Sequence, residues 1–236
     1  MNRLLQGDVG SGKTIVAFTS LLMAIDNGYQ SCIMAPTEIL ANQHYLGLRE
    51  WSEALGLNLA LLTGSSSAAH RKELHRLLRL GEIHILVGTH ALIEDVVRFH
   101  NLGMVVIDEQ HRFGVAQRAK LQEKANRPPH VLVMTATPIP RTLAMSLYGD
   151  LDYSVIDELP AGRKAIKTAH RFGFKREQVW EFIRKEIHLG RQAYVVYPLI
   201  EESDVLPYKD LNRGYDALLK AFPRPQYQIG MLHGQM

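Results

Sequence analysis

One eight-residue stretch near the start of the chain limits its possible folds more than any other feature. Gly7-Asp8-Val9-Gly10-Ser11-Gly12-Lys13-Thr14 fits the pattern G-x-x-x-x-G-K-[ST] in full, with Gly7, Gly12, Lys13 and Thr14 at the fixed positions. Glycines let the backbone fold tightly, so that successive N–H groups converge on a phosphate. Lys13 adds a charge near the β/γ-phosphates, and the Thr14 hydroxyl can take one position on Mg²⁺. The flanks agree with this reading. Leu4-Leu5 reads as the end of a strand too short to be complete, and Thr14 to Ile25 as an apolar helix stopped by Asn27-Gly28. Phosphate would sit at the positive end of that helix. The alternative is a Gly/Ser-rich turn with a solvated lysine; strand, loop and helix together favour nucleotide binding by Gly7 through Thr14.

The rest of the chain supplies a scaffold for such a loop. Ser31–Ala35, Leu57–Leu62, Ile83–Val87, Met104–Ile107 and Val131–Met134 read as short apolar strands. Helices are expected over Glu38 to Leu55, with Thr37 as N-cap, and over Ala68 to Leu80. Around that last helix Arg71, Lys72, Arg76 and Arg79 read as a solvated face. Strands alternating with helices predict an α/β fold with a mainly parallel sheet covered on both faces. Leu159–Lys164 breaks the rhythm and reads as a linker. Beyond it a second α/β pattern begins: strands at Ile166–His170, Ala193–Tyr197 and Gln228–Leu232, helices at Lys175–Leu189 and Asp210–Phe222. The expected division is 1–158 and 159–236, the second domain cut off before its sheet is complete and the whole a piece of a longer protein.

Composition excludes some classes. A net charge of +3 is too mild to argue for nucleic acid by itself, so any such surface has to be local. Cys32 is the single cysteine, which rules out a disulfide framework and a cysteine-based metal site. No signal peptide opens the chain and no charge-free run is long enough to cross a bilayer, so a reducing, intracellular protein is expected.

Polar clusters follow the strands, where open α/β sheets place their ligands. Asp108-Glu109 is the sharpest: opposite a phosphate loop, Asp108 can hold Mg²⁺ through its water shell and Glu109 can polarise an attacking water. His111 and Gln110 follow the pair, and His111 could sense the γ-phosphate, although a lone histidine is commonly a packed or solvated residue. Pro36-Thr37, Thr63-Gly64, Gly88-Thr89-His90 and Thr135-Ala136-Thr137 could each be no more than a strand end capping a helix. Small hydroxyl residues and backbone N–H groups there also suit phosphate contacts that carry no sequence information.

Taken in order, these clusters resemble the successive motifs of a superfamily-two helicase. Longer stretches are similar to the bacterial RecG-type DNA helicases: Leu4 to Thr14, Asp108 to Val115, Thr135 to Ala144, Gly149 to Asp152, Ile156 to Pro160, Tyr197 to Ser203 and Leu232 to Gly234. The resemblance implies two RecA-like domains that close on ATP and Mg²⁺ and step along duplex DNA. It implies branched or forked double-stranded DNA as partner, a monomeric motor and the bacterial cytoplasm. Lys13, Asp108, Glu109 and His111 would be catalytic and Thr14 with Asp108 would hold the metal. Pro36, Thr37, Thr63, Gly64, Gly88, Thr89 and His90 would meet DNA, and Gln110, Thr135, Thr137 and Arg141 would couple the two activities. Gln235 stands where the family commonly has arginine, and the late motifs with their arginine finger are expected beyond the chain. The transcription-repair coupling translocases share this motor and remain an alternative, as does a nucleotide- and DNA-binding module without turnover. A small-molecule kinase leaves the second α/β half unexplained.

The phosphate-loop reading predicts that Lys13→Ala weakens nucleotide binding and abolishes turnover in the whole protein. An ATPase assay giving the wild-type rate would refute it.

Overall fold

Apolar side chains occupy both parities of the short strands, so each strand needs cover on two faces. The computed structural model describes residues 1–109, 124–125, 127–137, 151–158, 162, 166–198 and 211–233. The chain divides into two compact units, Met1–Lys164 and Ala165–Met236. In the first, β1 (Asn2–Gly7), β2 (Gln30–Met34), β3 (Leu59–Leu62), β4 (Ile85–Gly88), β5 (Leu102–Asp108), β6 (His130–Thr135) and β7 (Asp152–Ile156) share one sheet. Their order is β3-β4-β2-β5-β6-β1-β7, and every pairing is parallel. This is the α/β fold that the alternating pattern predicts.

Strand parity sorts the apolar residues into two cores. Ile33, Met104, Val106, Leu132 and Met134 pack on one face with Ala17, Phe18 and Leu21 of α1 (Lys13–Asp26) and Ala41 and Leu48 of α2 (Glu38–Ala54). Cys32, Met34, Val105, Ile107, Val131 and Val133 pack on the other with Leu74 and Leu78 of α3 (Ala68–Leu80). Adjacent residues thus serve opposite layers, as the two-residue period of a strand requires. Complete burial pushes the Cys32 thiol far up, so it behaves as a small core hydrophobe.

The helix ends follow the local chemistry. Thr37 Oγ1 accepts from the N–H of Leu40 at 3.3 Å and caps α2, and Ser67 Oγ caps α3 through the N–H of His70, also at 3.3 Å. Asn27 terminates α1 and Gly28 takes a positive φ of 80° just beyond it. Two features differ from the sequence reading. β1 is a six-residue strand held between β6 and β7, not a stub, because both neighbours donate full ladders to it. β7 has no counterpart in the sequence reading; it is an edge strand whose half-exposed residues lack the apolar run that marks the others.

The second unit holds α4 (Arg176–His188) and α5 (Leu211–Ala221). Trp180 and Phe222 meet edge to face at 5.7 Å, Phe222 and Tyr227 at 5.2 Å, and the Arg184 guanidinium lies 5.3 Å over the Phe222 ring. The strands expected at Ile166–His170, Ala193–Tyr197 and Gln228–Leu232 are not strands: among the described residues none lies in a hydrogen-bonded ladder. Apolar alternation makes a segment extended, but a strand also needs a neighbour for its backbone groups. Tyr194 and Val196, at 88% and 86% exposure, face no such neighbour. The linker expected at Leu159–Lys164 lies outside the described residues except Gly162. Among the described residues no helix is long and apolar enough to cross a membrane.

Gly88 closes β4 where no side chain fits: a Cβ there would lie 2.2 Å from the Leu62 carbonyl oxygen and 3.0 Å from Leu92 Cδ2. Gly88→Ala is therefore expected to lower stability by about 1–3 kcal/mol. Denaturant unfolding that leaves the midpoint unchanged would show that β3 yields without cost.

Candidate functional site

Parallel pairing carries every strand-end cluster to one rim of the sheet. Gln6 lies opposite Thr135 and Asp108 opposite Met134, so β1, β6 and β5 end at the same level. β1 and β5 are two strand spacings apart, about 10 Å. The rim then falls into two halves. β5, β6 and β1 end in the acidic pair, the Thr135–Thr137 turn and the phosphate loop, whereas β3, β4 and β2 end in Thr63-Gly64, Gly88-Thr89-His90 and Pro36-Thr37.

The phosphate loop is shaped by its glycines. Gly10 and Gly12 take φ of 80° and 95°, which L side chains rarely adopt, and Gly12 is the N-cap of α1 without any side-chain cap. Gly7 is tight as well: a Cβ would lie 2.5 Å from Ser11 Oγ, which would have to turn away, and 3.2 Å from Ile156 Cβ. Lys13 Nζ donates to the carbonyls of Gly7 at 2.9 Å and Asp8 at 2.8 Å, which holds its charge over the loop. Asp8 Oδ1 accepts from the N–H of Val9 at 2.7 Å. The Ser11 hydroxyl is buried without a hydrogen-bond partner among the described residues, an arrangement expected where a further polar group belongs.

The acidic pair is set by strand parity. Asp108 shares its parity with Met104 and Val106 and so faces the α1/α2 side, the side on which α1 begins. It is 9% exposed, and His44 Nε2 of α2 donates to its Oδ2 at 2.7 Å. Glu109 leaves the strand with φ of 51°, unusual for a residue with a side chain. There its N–H donates to the Met134 carbonyl at 3.0 Å, and its Oε1 accepts from the N–H of Ala136 at 3.3 Å. The N–H of Thr137 donates to Thr135 Oγ1 at 3.1 Å. Glu109 is thereby tied to the turn after β6. Gln110, His111 and Arg141 lie outside the described residues.

On the other half the loops are braced by charges that sequence reading missed. Glu38, in the first turn of α2, accepts from the Ser65 hydroxyl at 2.7 Å and from its N–H at 3.0 Å. Those two bonds hold the Glu38 carboxyl below the usual carboxylate range, the hydroxyl contributing most. Arg71 is no solvated face residue. Its guanidinium donates to the carbonyl of Thr63 at 2.8 Å and to Glu94 at 3.0 Å, joining the loop after β3 to the turn after β4. The other cations of α3 fit the solvated reading better: Arg76 pairs with Glu73 at 2.8 Å between side chains 55% and 57% exposed. Gly64 and His90 are exposed and Pro36 and Thr37 half-buried, whereas Thr63 and Thr89, at 4% and 1% exposure, turn inward. His44 could have been found. It shares the buried stripe of Ala41 and Leu48 at spacings of three and four, where a polar side chain needs a partner.

An oxygen donor set made of the Thr14 hydroxyl and the Asp108 carboxylate suits a hard cation such as Mg²⁺, which commonly draws its remaining oxygens from phosphate and water.

Comparison with known proteins agrees with the geometry. The pattern shared by the DEAD/DEAH box helicase family matches residues 1–146. The chain is 54% identical to the ATP-dependent DNA helicase RecG of Synechocystis sp. over 237 residues, covering 100% of this chain and 28% of that protein. It is 52% identical over 236 residues to RecG of Bacillus subtilis, covering 100% of this chain and 34% of that protein. A solved structure of RecG bound to a three-way DNA junction superposes with a TM-score of 0.74 at 42% identity, over 94% of this chain and 28% of that one. The chain thus spans about a third of the relatives it matches, 28% and 34% in the two above.

If Arg71 braces the rim, Arg71→Leu should cost about 1.5–3 kcal/mol through lost charge-assisted bonds. Nucleotide affinity without Mg²⁺ should stay within about twofold, because the phosphate loop itself lies on the other half of the rim. An unchanged melting temperature would deny Arg71 that role.

Proposed function

This chain belongs to the DEAD/DEAH box helicase family, and on that premise we propose that it is the motor segment of an ATP-dependent DNA helicase of RecG type. Branched or forked double-stranded DNA is its substrate class. The observation that carries the reading is the shared rim: phosphate loop, acidic pair and coupling turn end three adjacent strands, β1, β5 and β6, at one level. The likeness to RecG held on a three-way junction supports the choice of DNA.

In this reading the N–H groups of the Gly10–Gly12 turn cradle the ATP phosphates and the Lys13 ammonium turns from the loop carbonyls to the β/γ-phosphates. Thr14 and Asp108 hold Mg²⁺, which neutralises charge on the phosphates when bound. Glu109 orients and polarises the attacking water. Its bond to the Ala136 N–H gives the Thr135–Thr137 turn a direct link to the hydrolytic acid. His111 is assigned to catalysis, and Gln110 and Arg141 to coupling, by the family resemblance alone.

DNA lies on the other half. Pro36, Thr37, Gly64 and His90 contact backbone phosphates, while buried Gly88 lets β4 end tightly against β3. Thr63 and Thr89 are buried, with their main-chain N–H groups donated to Ser66 Oγ and the Leu62 carbonyl, and they shape the loops that the contacting residues stand on. Such contacts confer position and no base specificity. Residues 159–236 belong to a second RecA-like domain.

Glu109→Gln keeps the shape of the side chain and removes the carboxylate. The variant should still bind ATP while kcat falls by about 10²-fold or more, and its DNA binding should weaken steeply with salt and little with base sequence. Normal turnover in the variant would make Glu109 a bystander. A flat salt dependence would remove DNA phosphate as the ligand of the rim.

A further inference from the structure

His44 joins the two halves of the rim. It stands on α2 in the buried stripe of Ala41 and Leu48, and its side chain is 11% exposed. Its Nε2–H is committed to Asp108 Oδ2 at 2.7 Å, and the Asp108 side chain is 13% exposed. A carboxylate only accepts, so the direction of the bond is settled. α2 also begins at the other half: Thr37 caps it, and Glu38 in its first turn holds Ser65 through both carboxylate oxygens. Thr37 and His44 are seven residues apart on one hydrogen-bonded helix, about two turns or 10 Å. A helix of this length moves as a unit. Any displacement of its N-terminus by a ligand therefore reaches His44, and through it the Asp108 carboxylate.

We propose that His44 is a positioning residue: it aims the Asp108 carboxylate toward the metal bound with nucleotide, and it transmits to that carboxylate the movement of α2 when DNA engages the Pro36–Thr37 and Gly64–Ser65 loops. This rests on the helicase reading above, which assigns Asp108 to Mg²⁺ and those loops to DNA. His44 touches neither nucleotide nor DNA in this scheme. Its contribution is to fix one of two carboxylate oxygens so that the other is presented in a defined direction, and a hydrogen bond to a charged group is strong enough to do so.

The test uses the whole protein with three substitutions, His44→Ala, His44→Asn and His44→Gln. Glutamine places an amide N–H where Nε2 stood, and asparagine is too short to reach Asp108. Binding of a fluorescent ATP analogue is measured with and without Mg²⁺, beside ATPase activity with and without branched DNA. Without Mg²⁺ the affinity of all three should match wild type, which also shows that the site is folded. With Mg²⁺, the alanine and asparagine variants should need about tenfold more metal for half-maximal binding, and they should lose most of the DNA stimulation of ATPase. Glutamine should restore both within about twofold. Equal behaviour of asparagine and glutamine, or a metal requirement that is unchanged or lower in the alanine variant, overturns the proposal. Should wild type itself show no Mg²⁺-dependent nucleotide binding or no stimulation by DNA, the helicase reading fails instead.

Discussion

Parallel strands cannot be joined by hairpins: each connection has to cross a face of the sheet and bring the chain back to the same end. With seven strands all parallel, the carboxyl ends of β1 to β7 gather on one rim and the helices are distributed over the faces. That requirement explains why residues as distant as Gly7 and Thr137 can serve one site. It also explains the composition of the strands, which are apolar at both parities because α1 and α2 cover one side and α3 the other. The rim is left as the place where backbone groups and polar side chains can meet a ligand.

The two halves of that rim are built differently. On the β1, β6 and β5 side the shape comes from backbone conformation: positive φ at Gly10 and Gly12, a tight approach at Gly7, and Glu109 at φ of 51° bonded to the turn after β6. On the β3, β4 and β2 side it comes from side chains, Glu38 gripping Ser65 and Arg71 joining Thr63 to Glu94. Magnitude separates these from other charged pairs. Arg71 is 23% exposed and donates to carbonyls as well as a carboxylate, whereas an exposed pair such as Arg49 with Glu53, 57% and 63% exposed, is screened by water and contributes little. His44 stands where the two constructions meet, and it gives α2 a hold on the acidic pair.

The second unit obeys a weaker version of the same logic. α4 and α5 bury one aromatic cluster around Trp180, Phe222 and Tyr227. Its apolar segments carry the pattern that marks β2 or β5 as strands, but among the described residues they lie in no ladder.

Local residue chemistry by itself determined much of this protein. The phosphate loop and its helix, the cap Thr37, and the five strands β2 to β6 were legible because propensity, period and turn residues act over a few positions. The placement of Asp108-Glu109 after an apolar strand was legible for the same reason. Tertiary structure decided what depends on neighbours remote in sequence. β1 became a full strand because β6 and β7 flank it, and β7 formed because β1 offered an edge, though its own residues are unremarkable. Arg71 became a brace because β3 lies beside β4, and His44 a partner of Asp108 because β2 lies beside β5. Segments such as Ala193–Tyr197 stayed unpaired among the described residues, since alternation specifies two faces and says nothing of which strand will lie alongside. Side-chain periodicity is a property of one segment, and hydrogen-bond partnership is a property of two.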